Sequence, residues 1–206
     1  MLVGYPETMA LRDARRIYFD ANGFGDDGGY SSKWVDFKLG KIPFPVPNTP
    51  GRVRAVRFHD LHHVLTGYDT STLGEFEISA WEIGAGCKDF AAAWVLNLSG
   101  MFAGALVAPG RTFRAFVRGR HSRTVYGEEF EPLLELNVGE ARARYLASGE
   151  RTKTRLLDVG AFGGALVAGL VVGAAMMTAI VPLVPFGLVA VAGFKRKRDR
   201  EKRAGA

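Results

Sequence analysis

Cysteine is almost missing from this chain: Cys87 stands alone among 206 residues. A single thiol closes no internal disulfide, so the globular part is expected to fold in a reducing compartment. The N-terminal stretch Met1 to Tyr18 has neither an uninterrupted apolar core nor a small-residue cleavage pattern, which argues against a secretory signal. The glycine-rich stretch from Ala21 to Tyr30 holds no GxGxxG run that opens a helix, so a dinucleotide site is not expected. Asp26 and Asp27 within it supply two carboxylates, too few for a calcium ion that takes six or more oxygens. Acidic residues are the minority charge, 21 against 27 basic, for a net charge of +6. That balance resembles a nucleic-acid binder, but seven of the basic residues crowd into Lys195 to Arg203 and no nucleic-acid-binding motif accompanies them. Nucleic acid is therefore not expected as a partner.

What the chain does have is a long run without charge. Val159 to Val181 is 23 residues with no charged side chain, enough to cross a hydrocarbon layer of about 30 Å at about 1.5 Å per residue. After Pro182 and Pro185 the sequence is apolar again to Phe194, and the basic cluster follows. Polybasic segments of this kind mark the cytoplasmic side of a membrane. Basic residues flank both ends, which favours a hairpin turning between Pro182 and Gly187 over a single span. Four parts are expected: a helical domain over 1–148, a charged linker over 149–158, a transmembrane segment or hairpin over 159–194, and a basic cytoplasmic tail over 195–206. The soluble domain is placed on the cytoplasmic side, as in a bacterial inner membrane.

Within the domain the patterns are mainly helical, and the expected fold class is all-α. Leu11 to Asp20 carries apolar residues at Leu11, Ala14, Ile17 and Tyr18, the spacing of an amphipathic helix. Lys33 to Leu39 reads as a strand or short helix. Prolines at Pro43, Pro45, Pro47 and Pro50 impose an extended, hydrogen-bond-poor lead-in, with Thr49 as cap and Pro50 as first residue of the helix beyond. Phe90 to Ala108 is apolar except for Asn97 and Ser99 and reads as a buried core helix. Arg111 to Arg123, if helical, sets Arg111, Arg114 and Arg118 on one face, suited to lipid phosphates or a substrate carboxylate. Val138 to Leu146 closes the domain as a last helix.

Three of the four histidines fall within His59 to His63, beside Asp60 and shortly before Glu75. In a helix from Val53 to Leu65, His59 and His63 lie one turn apart, and Asp60 borders the same face. His62 points to one side. Thr66 to Thr72 is turn-forming, and a second helix starting near Leu73 could double back and bring Glu75 over the imidazoles as a fourth ligand. Nitrogen and oxygen donors in this mixture suit a divalent metal, zinc first, with iron or manganese as alternatives. Glu82 shares the face of Glu75 on the second helix. It is a candidate catalytic residue, as a proton-transfer group or as a partner that orients a metal-bound imidazole.

The spacing His59-Asp60-x-x-His63, eleven residues, then Glu75, with Leu73-Gly74 before the glutamate and Trp81-Glu82 after it, resembles the metal motif of the Coq-four family of ubiquinone (coenzyme Q) biosynthesis proteins. The resemblance is dense over Arg52 to Gly86 and looser as far as Leu146. It implies a largely helical fold, a metal held by His59, Asp60, His63 and Glu75, and an apolar channel for a polyprenyl tail. It also implies an activity that removes the ring carboxyl at C1 of a polyprenylated benzoate precursor. The apolar C-terminal part from Leu156 departs from the family pattern. Expected partners are a polyprenylated quinone precursor or another isoprenoid lipid, the membrane, and other quinone-biosynthesis proteins. Two other functions fit the same residues: a lipid-binding scaffold with a structural metal, and a metal-dependent hydrolase.

Overall fold

Thr49 and Pro50 start the helix on which the fold turns. The Thr49 hydroxyl accepts the Arg52 amide at 3.3 Å, and proline at the first position gives up a donor that a helix start leaves unpaired anyway. The computed structural model describes residues 4–39, 42–147 and 154–180. In chain order these form α1 (Leu11–Asn22), β1 (Trp34–Leu39), β2 (Ile42–Pro47), α2 (Pro50–Thr66), α3 (Thr72–Ala85), α4 (Ala91–Val107), α5 (Pro109–Arg120), α6 (Phe130–Glu135), α7 (Val138–Tyr145) and α8 (Leu156–Ile180). The fold is all-α. Among the described residues one hairpin, β1 with β2, pairs antiparallel with Trp34 opposite Pro47, Asp36 opposite Pro45 and Lys38 opposite Pro43. The proline run is thus a paired strand rather than a bare lead-in. Alternate residues of an antiparallel edge turn their amides away from the partner, and prolines confined to those positions remove no ladder bond.

The core forms where α1, α2, α3 and α7 meet. Leu11 and Ala14 from α1, Leu61 and Leu65 from α2, Trp81 from α3 and Ala141 from α7 are all buried. Each large apolar side chain so enclosed stabilises the fold by about 1.5–3 kcal/mol. Two glycines set how closely α3 and α5 cross. A Cβ on Gly119 would collide with the Trp81 carbonyl, and one on Gly84 with the Phe116 carbonyl. Glycine also lets α4 close on α3: a Cβ on Gly100 would lie 2.5 Å from the Ser79 hydroxyl, and one on Gly104 2.7 Å from Phe76 Cβ. The small residues of α4 therefore serve tight packing here and line no lipid channel at these positions.

Three boundaries differ from expectation. α8 begins at Leu156, inside the expected linker, because Asp158 accepts the Arg155 amide at 2.9 Å and so caps the first turn. α4 is not a buried core helix. Only Ala93, Asn97, Met101 and Gly104 of it are buried, while Val95, Leu96, Leu106 and Val107 face outward. Residues 130–135, for which the sequence pattern offers no element, form a helix of their own, α6, whose Glu131 and Glu135 pair with Arg12. The turn between Pro182 and Gly187, the apolar residues to Phe194 and the basic tail lie outside the described residues.

Candidate metal centre

α2 ends at Gly67, which is left-handed at φ 78°, and α3 starts after Ser71, whose hydroxyl accepts the Gly74 amide at 3.2 Å. The short turn between them reverses the chain, so the first turn of α3 faces the last turns of α2. Gly74 is needed there: a Cβ would collide with the Asp69 carbonyl, and the turn would be pushed off the helix that presents Glu75.

This reversal brings three ligand atoms together. His59 Nε2 and His63 Nε2 lie 3.1 Å apart. Glu75 reaches both, with Oε2 at 3.5 Å from His59 Nε2 and Oε1 at 3.5 Å from His63 Nε2. A group of this kind could hold a metal ion. The outer ring nitrogens explain why. His63 Nδ1 lies 2.8 Å from the Tyr68 carbonyl oxygen, which can only accept, so the proton of that ring sits on Nδ1. His59 Nδ1 lies 2.8 Å from Glu82 Oε1 and donates to it. Both Nε2 atoms then face one point, where a proton or a metal ion can be held between them. Bonds of 2.0–2.2 Å at tetrahedral angles separate ligand atoms by about 3.3–3.6 Å, close to the 3.1 Å between the imidazole nitrogens and the 3.5 Å from each to a Glu75 oxygen.

Glu82 anchors this geometry. It is fully buried and accepts four donors: His59 Nδ1 at 2.8 Å and His62 Nδ1 at 2.7 Å on Oε1, and Asn97 Nδ2 and the Tyr126 hydroxyl on Oε2, the latter at 2.7 Å. Burial alone would raise its pKa, but the two imidazoles and their hydrogen bonds hold it well below the ordinary carboxylate range. Glu82 is therefore a carboxylate that orients the imidazole of a candidate metal ligand through its outer nitrogen. With no exposed surface it cannot touch a substrate from this position.

His62 is the counterpart that faces away from His59, His63 and Glu75. Its Nε2 accepts the Val125 amide at 3.1 Å, which leaves Nδ1 as the donor to Glu82. Burial lowers its pKa and keeps it neutral. For His59 burial pulls the same way, but the charges and hydrogen bonds of Glu82 and Glu75 outweigh it and the pKa is raised well above the ordinary value. Glu75 is correspondingly lowered, burial being outweighed by hydrogen bonds to His59 and His63. The appetite for a proton and the appetite for a metal are the same property: a cluster of acceptors aimed at one point.

Asp60, expected as a fourth ligand, does not belong to the group. It is buried, its Oδ2 accepts the Tyr30 hydroxyl at 2.5 Å, and burial raises its pKa. Its position, one residue beyond His59, turns it toward the loop before β1 instead. Three protein ligands remain, and the Glu75 side chain is 42% exposed, so solvent reaches the group from that side.

The arginines of α5 stand apart from the group. Arg111 forms a forked pair with Glu77, at 3.0 and 2.5 Å. Arg118 donates to the Thr66 carbonyl at 3.0 Å and lies 5.4 Å over the Tyr68 ring. Arg114 is exposed. None of the three is bonded to His59, His63 or Glu75.

Several supporting residues escaped the sequence reading. Tyr18 stacks on His63 with ring centres 5.5 Å apart, and Tyr126, Asn97 and the Tyr68 carbonyl complete the hydrogen-bond shell. Asn97 alone had a usable signal, because an uncharged apolar helix keeps a buried amide only where it has a partner. Comparison with family models, with curated proteins and with solved structures finds no match for this chain.

Proposed function

We propose that this chain is a membrane-associated metalloprotein of ubiquinone biosynthesis that acts on a polyprenylated benzoate precursor and removes its C1 carboxyl. The observation that carries the reading is the convergence of His59, His63 and Glu75, at the spacing of the Coq-four motif, on one point with an open side. His59 and His63 would hold the ion through Nε2 and Glu75 through its carboxylate, with zinc first among the divalent metals. A divalent ion there supplies Lewis-acid charge to an aromatic carboxylate. Glu82 and the Tyr68 carbonyl fix the two imidazoles, so little reorganisation is needed when substrate arrives. A membrane helix suits the substrate's partitioning, since a polyprenyl tail resides in the bilayer. Leu156–Met176 is the segment long and apolar enough to provide one.

The test is turnover. The purified, metal-loaded full chain in lipid vesicles should release carbon dioxide from a prenylated 4-hydroxybenzoate-type acid, and Glu75→Ala should not. A structural metal in a lipid-binding scaffold gives the opposite pattern, with no turnover and unfolding of the domain on chelation. Phosphate-ester hydrolysis with no action on the benzoate would select a hydrolase.

A further inference from the structure

α8 has the composition of a membrane span but not the burial pattern of a free one. Leu156–Met176 has a mean hydropathy of 2.0. Asp158 and Gly169 are buried, Phe162, Leu166, Gly173 and Met176 are half-buried, and the residues on the other side of the helix are exposed. Steps of three and four residues draw a single stripe down one face from the first turn to Met176. That stripe is docked on the domain. Asp158 meets Arg120 at 3.2 Å and His121 at 3.3 Å. Phe162 sits edge-on to Phe113 and Phe116, with ring centres at 5.1 and 5.3 Å. A Cβ on Gly169 would come within 2.6 Å of the Leu98 carbonyl oxygen, and the Ser99 hydroxyl lies 3.2 Å from Met176 sulfur. α8 therefore lies along α4, in the close contact that small residues allow between membrane helices.

α4 is itself two-faced. Asn97, Met101 and Gly104 point into the domain, whereas Leu106 is 72% exposed and Val107 66% exposed. No residue from Ala91 to Val107 carries a charge. An outward apolar face of this kind marks a contact surface for another protein, a ligand or a membrane. A bilayer that receives α8 therefore meets α4 at the same time, because the two are packed together along their lengths.

We propose that α4 and α8 form one lipid-embedded surface, so that two helices seat the domain on the bilayer instead of one tethering it. This rests on the reading of α8 as a membrane helix and not on the metal centre. It also joins the two regions: the face of α4 opposite the lipid carries Asn97, which donates to Glu82.

The test uses the full chain in phosphatidylcholine–phosphatidylglycerol vesicles with an environment-sensitive fluorophore on a single introduced thiol. Cys87 is fully buried and stays unlabelled. Leu106→Cys and Val107→Cys on α4, Val171→Cys on α8 and Arg54→Cys on α2 are all exposed positions, the last giving up a surface pair with Asp89 and a stack on Phe90. Labels at 106, 107 and 171 should shift to the blue and lose intensity to nitroxide-bearing acyl chains, while the label at 54 does neither. A quenched label at 171 with water-exposed labels at 106 and 107 overturns the two-helix seat and leaves a tether. Water-exposed labels at all three positions overturn the membrane reading as well.

Discussion

Replacing Glu82 by glutamine changes one atom of a buried side chain and should be among the costlier substitutions in the molecule. The carboxylate accepts four donors, two imidazole Nδ1–H groups on one oxygen and the Asn97 amide with the Tyr126 hydroxyl on the other. Glutamine keeps one accepting oxygen and sets an NH2 group against the other two donors. Hydrogen bonds to a charged group each contribute about 1.5–3 kcal/mol net, so losing two amounts to about 3–6 kcal/mol. Breaking a buried ion pair costs a similar 3–5 kcal/mol. Glu82 has no exposed surface, so solvent does not soften the effect. Against a typical stability of about 5–15 kcal/mol, the variant should unfold at clearly lower denaturant. Guanidinium unfolding of the metal-free protein in non-ionic micelles, followed by circular dichroism, measures this. Glu135→Gln on α6 is the control, because Glu135 is 69% exposed and pairs with a half-exposed Arg12 and such surface pairs contribute about 0–1 kcal/mol. Equal midpoints for the two variants would refute the buried-anchor reading. In whatever Glu82→Gln remains folded, metal affinity should fall about 10–100-fold, the usual effect of losing a carboxylate behind a ligating histidine.

Metal uptake should release a proton and weaken as pH falls. His59 is raised above its unfolded value by Glu82 and Glu75, so below its folded pKa the metal must displace a proton. Titration calorimetry in buffers of different ionisation heat reads the released proton, and heats independent of buffer would contradict it. In the metal-free protein the sign runs the other way. The stability that protonated His59 contributes is fully present below its unfolded pKa and is lost as pH rises through the raised folded value. Asp60→Asn should keep its ion, because Asp60 lies outside the metal group and holds Tyr30 instead; loss of the metal in that variant would restore a four-ligand site. Gly119→Ala should destabilise by about 1–3 kcal/mol or more, since its methyl would overlap the Trp81 carbonyl. A thermal melt like that of the unsubstituted chain would mean that α3 and α5 are less tightly crossed than described.

Much of the metal group was legible because it is local. His59 and His63 are one turn apart whatever surrounds them, and the turn residues between Thr66 and Thr72 announce a reversal that leaves Glu75 little choice of direction. Asp60 falls outside the group because adjacency on a helix face fixes an angle and not a partner; its hydrogen-bond partner is Tyr30, on a loop distant in sequence. Tyr18, Tyr126 and Asn97 reach the site from α1, from the segment before α6 and from α4, and no spacing rule joins elements so far apart. The same limit explains α4. Its composition suits a core helix and a lipid-facing helix equally, and only the packing of α8 against one side shows which face is left open. The prolines of β2 were recognised as extended chain, but pairing depends on the partner strand β1, whose pattern was ambiguous by itself.

The account turns on whether His59, His63 and Glu75 bind one ion together. Elemental analysis of the purified chain, beside His63→Ala and Glu75→Ala, measures that directly. A divalent metal in stoichiometric amount in the unsubstituted protein, lost from both variants while each keeps its helical circular dichroism, is the predicted result. Equal metal content in all three proteins would contradict it.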